Sequence, residues 1–150
     1  MSDLILLLSG PNLGLLGSRQ PAVYGSSSLA DHVAAATDEA ARFALVVKHV
    51  ASDHEGDLVV AAGAARDQAA AVIVNPGALT HYSWALSDAL ASFDGPVIEL
   101  HLSNPHARES WRRLSVLSPV ASGIIAGFGG AGYRLAVQAA AGLLGMAETT

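Results

Sequence analysis

One hundred and fifty residues make one domain, 1–150, on the usual size scale, enough to bury roughly 70% of the unfolded surface. Eight Lys plus Arg against 13 Asp plus Glu leave a formal charge of −5, which argues against nucleic acid or an anionic membrane as partner. The chain has no cysteine, so thiol catalysis, disulfides and thiolate metal sites are excluded, and its 51% hydrophobic content is an excess of alanine and glycine that subunit contacts can absorb.

The opening MSDLILLLSGPN holds an apolar run of only five residues with no basic segment ahead of it, too short for a signal peptide or a membrane span. The cytoplasm is therefore the expected compartment. Leu4 to Leu8 reads as a strand covered on both faces of a parallel sheet. Ser9 to Gly25 follows as a long loop in which Gly10, Gly14, Gly17, Gly25, Pro11 and Pro21 forbid a regular element, while Asn12, Arg19 and Tyr24 supply an amide, a fixed cation and a phenol. A loop of this length in a compact domain is expected to be a lid or binding loop. Ser26, Ser27 or Ser28 then caps a helix running to about Phe43, with Asp31 near its positive end.

Leu45 to Val50 is a second strand, and Asp53-His54-Glu55-Gly56 opens a weakly patterned, alanine-rich helix through Gln68. Ala71 to Val74 is the third strand, ended by Asn75-Pro76-Gly77, after which Thr80 is expected to cap a helix to about Ser92 with His81 in its first turn, where the backbone dipole favours an anion. Val97 to Leu102 is the fourth strand, His106 to Arg113 a short helix, Gly123 to Ala126 the fifth strand, and Tyr133 to Met146 the closing helix. Strict alternation predicts an α/β, flavodoxin-like three-layer sandwich around a five-stranded parallel sheet. Ligands of such sheets bind beyond the carboxyl ends of the strands, where Asn12, Asn75, His81, Glu99, His101 and Ser103 fall.

Glu99 and His101 lie two apart on a strand and so share a face, an arrangement that fixes an imidazole's tautomer and prepares an acid. Arg108 and Arg112 are four apart, on one face of the short helix as read, and with Arg113 they concentrate positive charge for a carboxylate or phosphate. Gly127-Phe128-Gly129-Gly130-Ala131-Gly132 matches G-x-G-x-x-G but sits in the last strand-helix unit without a partner strand or ribose-binding acid, so helix-sheet packing or a subunit contact is the better reading. A flavodoxin-like nucleotide module would also need a phosphate loop, and SGPNLG lacks the Lys and Ser/Thr of one. His32, His49, His54 and His106 read as surface or core histidines.

The stretches Gly10-Pro11-Asn12-Leu13, Arg19-Gln20-Pro21 with Tyr24-Gly25, Asn75-Pro76-Gly77-Ala78 with Thr80-His81, and Glu99-Leu100-His101-Leu102-Ser103-Asn104 with His106-Ala107-Arg108-Glu109 together resemble the type II 3-dehydroquinate dehydratases. Ser9, Tyr82, Ser87 and Ala51-Ser52-Asp53 depart from that pattern. The resemblance implies dehydration of 3-dehydroquinate to 3-dehydroshikimate through an enolate, with no cofactor and no metal. It implies Tyr24 as base, His101 as acid, Asn12 at the enolate oxygen, and Arg19 as the cation beside Tyr24 with Arg108 a second. Tyrosine titrates near 10, so a phenolate near pH 7 costs about 4 kcal/mol, which one cation about 4 Å away supplies at an effective dielectric of about 20. Asn75, His81, Leu102, Ser103 and Arg112 match substrate contacts, Gly77 and Ala78 support them, and Asp88 matches a residue reaching in from a neighbouring subunit of a trimer, four of which make a dodecamer. The type I enzymes use a lysine Schiff base, but Lys48, the only lysine, lies on the second strand far from these motifs. The alternative is a non-catalytic protein that binds quinate-like acids.

Overall fold

The computed structural model describes residues 2–150, and Met1 lies outside the described residues. Five strands, β1 (Leu4–Ser9), β2 (Val46–Ala51), β3 (Ala71–Asn75), β4 (Val97–His101) and β5 (Gly123–Ala126), form one sheet in the order β2-β1-β3-β4-β5. All four pairings are parallel. This is the flavodoxin-like winding, with the chain reversing direction across the sheet next to β1. The helices are α1 (Pro21–Tyr24), α2 (Leu29–Ala41), α3 (Glu55–Gln68), α4 (Trp84–Ala91) and α5 (Ala131–Leu143). None is long and apolar enough to cross a membrane among the described residues.

Side chains of the central strands sort by parity into two cores. Ile5, Leu7, Ile73, Ile98 and Leu100 pack with Ala36 and Ala40 of α2 and Ala136, Val137 and Ala140 of α5. Leu6, Leu8, Val72, Val74 and Val97 pack with Leu58, Ala62 and Ala65 of α3 and Leu86 and Leu90 of α4. A strand buried on both faces has no polar side to alternate, which is why Leu4 to Leu8 reads as an unbroken apolar run. Eight alanines, Ala36, Ala40, Ala62, Ala65, Ala71, Ala136, Ala140 and Ala141, are buried inside the subunit, where short side chains let helices lie close to the sheet. Truncating a fully buried strand residue such as Leu8 to alanine would cost about 2–5 kcal/mol.

Ser28 is the residue that caps α2: its Oγ accepts from the Asp31 N–H at 3.1 Å while the Asp31 carboxylate accepts from the Ser28 N–H at 2.9 Å. The G-x-G-x-x-G stretch is a packing device. A Cβ on Gly132 would lie 2.8 Å from Leu100 Cδ1, and one on Gly130 would lie 2.6 Å from the His32 ring.

Three local expectations are corrected. The loop from Ser9 to Gly25 is not free of regular structure: Leu13–Leu15 forms a 3-10 turn and Pro21–Tyr24 a single helical turn, because Leu13 and Leu16 are buried in the core and pin the chain. Thr80 does not cap the next helix. Gly77–His81 is a 3-10 helix that His81 ends, and α4 starts after Ser83, whose Oγ accepts from the Leu86 N–H at 3.1 Å. Lastly, His106 to Arg113 is not one helix but two 3-10 turns, Pro105–Ala107 and Ser110–Arg113, with Arg108 in extended conformation between them. At the break Arg108 reaches out to Tyr24 and Ser103, while Arg112 pairs with Glu109 within the second turn.

Candidate active site

A cavity of about 100 Å³ opens at the carboxyl ends of β1, β3 and β4. Its walls come from the loop after β1 (Asn12, Arg19, Tyr24), the turn after β3 (Asn75, Gly77, Ala78, His81) and the segment that ends and follows β4 (His101, Leu102, Ser103, Arg108, Arg112). The first two walls are held together by backbone contact so close that only glycine fits. A Cβ on Gly10 would stand 2.3 Å from the Pro76 carbonyl oxygen, and Gly77 adopts φ of 57° facing the Pro11 carbonyl. The Gly10 N–H donates to the Asn75 carbonyl at 2.8 Å, which ties the β1 loop to the β3 turn. Asn12 takes a left-handed conformation that asparagine tolerates, and its N–H donates to the Asp53 carboxylate at 2.8 Å.

Tyr24, the last residue of α1, presents its phenol oxygen to the guanidinium of Arg108, whose Nη1 donates to it at 2.9 Å. The same nitrogen donates to Ser103 Oγ at 3.2 Å, so one cation bridges the loop after β1 and the segment after β4. Arg19 and Arg108 both lie over the Tyr24 ring, with guanidinium carbons 5.6 Å and 5.2 Å from the centroid, but only Arg108 hydrogen-bonds the phenol oxygen among the described residues. The resemblance put Arg19 first as the phenol's cation; the guanidinium that reaches the oxygen is that of Arg108. Arg19 and Arg108 have no carboxylate partner within salt-bridge distance among the described residues, whereas Arg112 pairs with Glu109 and stacks on Trp111 at 4.1 Å. Three guanidiniums therefore line one cavity of an acidic chain, a field that favours an anionic ligand.

At the end of β4, His101 Nε2 lies 3.0 Å from Glu99 Oε2. Glu99 is 2% exposed and does not line the cavity itself; it stands behind the histidine. Burial pushes its carboxyl up, but hydrogen bonds from His101, Ser115 and Ser118 outweigh that and hold it below the ordinary carboxylate range. An ionised Glu99 only accepts, so the proton between them belongs to His101 Nε2, and Nδ1 is left as the nitrogen that exchanges a proton. His81 is oriented in the other sense: its Nδ1 donates to the Leu114 carbonyl at 2.6 Å, which leaves Nε2 free.

Asn75 is buried, and its Nδ2 donates to the Tyr133 hydroxyl at 3.1 Å. Tyr133, wholly buried in α5 with burial pushing its phenol up to about 12, is a neutral anchor for that amide and escaped the sequence reading. No spacing signal marks it, since it reads as one more apolar position of the closing helix. Asp88 is exposed on α4 and is not brought to the cavity of its own chain.

The family model for class II dehydroquinases matches residues 3–141. This chain belongs to the class II dehydroquinase family. It is 47% identical to a 3-dehydroquinate dehydratase 2 of Pseudomonas putida over 96% of this chain and 97% of that protein. It is 49% identical to a catabolic 3-dehydroquinase of Aspergillus oryzae, covering 92% of this chain and 90% of that one. The crystal structure of a type II dehydroquinase from Propionibacterium acnes superimposes with a TM-score of 0.87 at 40% identity, over 92% of this chain and 95% of the other. In this class II dehydroquinase the cavity therefore stands on the fold shared with that solved structure, and the loop after β1, the β3 turn and the end of β4 all fall inside the matched region.

Proposed function

We propose that this chain, one catalytic domain over residues 1–150, removes water from 3-dehydroquinate to give 3-dehydroshikimate by anti elimination through an enolate. The observation that carries the reading is the meeting, in one cavity of a class II dehydroquinase, of a phenol held by a guanidinium and an imidazole backed by a buried carboxylate. The substrate is a β-hydroxy ketone that also bears a carboxylate. Its dehydration needs a base for the proton beside the ketone, a donor for the enolate oxygen, and an acid for the leaving hydroxyl.

Tyr24 as phenolate takes the carbon-bound proton, and the electron pair moves onto the carbonyl oxygen. Asn12 holds that enolate oxygen, directly or through a water. As the enolate collapses, the carbon–oxygen bond breaks and His101 protonates the departing hydroxyl, which leaves as water. Arg108, aided by Arg19, keeps the phenolate charge balanced. Asn75, His81, the Leu102-Ser103 backbone and Arg112 hold the substrate's hydroxyls and carboxylate, with Gly77 and Ala78 shaping the floor. No cofactor or metal enters this scheme. The enzyme works in the cytoplasm, in the shikimate pathway toward aromatic amino acids or in the breakdown of quinate.

Turnover is followed by the rise in ultraviolet absorbance as the conjugated product forms. Tyr24→Phe should abolish it while ligand affinity, measured calorimetrically, stays nearly intact; activity within about tenfold of the parent would remove Tyr24 as the base. A protein that binds but never turns over would be the non-catalytic acid binder instead.

The active unit is a trimer, and trimers assemble into a dodecamer, with Asp88 reaching a neighbour's cavity. Support comes from the exposure of Tyr82 (60%) and Trp84 (68%) at the start of α4, the helix that carries Asp88. Light scattering and turnover across a dilution series should show activity lost as the trimer dissociates, before secondary structure is lost; a fully active monomer would refute the shared site.

A further inference from the structure

Behind His101, on the side away from the substrate cavity, a second small cavity of about 70 Å³ is lined by hydroxyls, among them Thr80, Ser115 and Ser118, with the charged groups Glu99, Arg112 and Arg113 and with His101 and His106. The hydroxyls converge on Glu99. Ser115 Oγ is 2.6 Å from Oε1, Thr80 Oγ1 is 3.3 Å from the same oxygen, and Ser118 Oγ lies 3.1 Å from Oε2 and 3.3 Å from Oε1. Ser115 differs from the others in what else it does. Its Oγ accepts from the N–H groups of Leu117 at 3.1 Å and Ser118 at 3.0 Å. A hydroxyl has two lone pairs and one proton, so both acceptor positions are used, and of the two acceptors left for the proton the Glu99 carboxylate oxygen at 2.6 Å is nearer than Thr80 Oγ1 at 2.8 Å and carries the charge.

We propose that Ser115, seconded by Ser118 and Thr80, is a positioning residue for the dehydration: it is a one-way donor that keeps Glu99 an acceptor and thereby keeps the His101 proton on Nε2. A protonated Glu99 would have to donate to one of its neighbours; Ser115, the nearest hydroxyl, cannot accept, which leaves only the longer contacts to Ser118 and Thr80 or the imidazole itself. Three hydroxyls placed to donate favour the carboxylate as acceptor toward the imidazole, and His101 meets the substrate with Nδ1. The two N–H groups that lock the serine come from the turn entering the 3-10 helix Ser118–Val120, so the tautomer of the acid is set by backbone on the far side of the strand. Thr80 ties the same cradle to the β3 turn, since its Oγ1 is 2.8 Å from Ser115 Oγ.

The inference rests on the assignment of His101 as the acid, and the test keeps the two apart. In the full-length protein, Ser115→Ala should lower kcat about tenfold, the size of one charge-assisted hydrogen bond, with KM changed less than about twofold. Ser115→Thr should restore kcat to within about threefold of the parent, and Ser115→Ala added to Glu99→Gln should cost less than about twofold more. Histidine-labelled, ligand-free protein should show a single Nε2–H tautomer for His101 by ¹⁵N resonance, and a mixture in Ser115→Ala. Equal losses in the Glu99 and Glu99→Gln backgrounds, or an unmoved tautomer, would overturn the proposal. If Ser115→Ala fails to fold, Ser118→Ala carries the test, because Ser118 Oγ accepts no backbone N–H; it should give a smaller kcat loss that also vanishes in the Glu99→Gln background. If no variant and not even the parent turns over, the functional assignment fails while the tautomer measurement still judges the cradle.

Discussion

Replacing Arg108 by alanine tests how the phenolate is held. The guanidinium nitrogen stands 2.9 Å from the Tyr24 oxygen, close enough for a charge-assisted hydrogen bond once the phenol is ionised. A unit charge pair about 4 Å apart at an effective dielectric of about 20 is worth about 4 kcal/mol. Arg19 remains 5.6 Å from the ring centroid and recovers part of that on removal of Arg108. A net loss of about 2–3 kcal/mol is left, which corresponds to about two orders of magnitude in kcat/KM. Initial rates from the product absorbance give the number directly. Arg108→Lys should fall between, because it keeps the positive charge but replaces the planar guanidinium fork with a compact, strongly hydrated ammonium on a different stem. A kcat/KM within about threefold of the parent, or a far larger loss for Arg19→Ala, would refute the argument and return the main role to Arg19.

Arg112→Ala should raise KM far more than it lowers kcat, because Arg112 lines the cavity while the proposed reacting groups are Tyr24 and His101; an unchanged KM would reassign it to its pair with Glu109 and its stack on Trp111. His32 is buried, stacks flat on Tyr133 with centroids 4.9 Å apart, and burial lowers its pKa below the ordinary 6.5. The unfolded chain then takes up a proton first as pH falls below 6.5, so stability drops on the acid side until the folded pKa is reached. His32→Phe keeps the stack and removes the proton site, so the fall in Tm between about pH 7 and pH 5 should shrink, with His49, also pushed down by burial, leaving a remainder. An equal fall in both proteins would sink this account.

Strand positions, the parallel sheet and the site's polar residues were legible in the chain because each depends on near neighbours. A run such as Leu4 to Leu8 announces a doubly covered strand, and Glu99 and His101 share a face by the pitch of any strand. Asn12, Asn75 and His101 reach one cavity because they follow or end parallel strands, and such ends lie along one edge of the sheet. The turns were less legible. Leu13 and Leu16 pin a glycine-rich loop, and Ser83 rather than Thr80 caps α4, because a cap or a buried loop residue is chosen by where the rest of the chain already lies.

The sequence alone determined which chemical groups are present and, through local periodicity, which edge of the fold carries them. Only the tertiary structure decided which of them touch. Arg108 rather than Arg19 reaches the phenol oxygen, since the segment after β4 is extended and not helical at that point. Tyr133 and Ser115, the first in the last helix and the second in a turn 16 residues beyond Glu99, hold Asn75 and Glu99 from behind. Contacts of that kind depend on distances between segments remote in the chain, and such distances are set by the packing of the helices on both faces of the sheet, which no spacing of residues along one segment records.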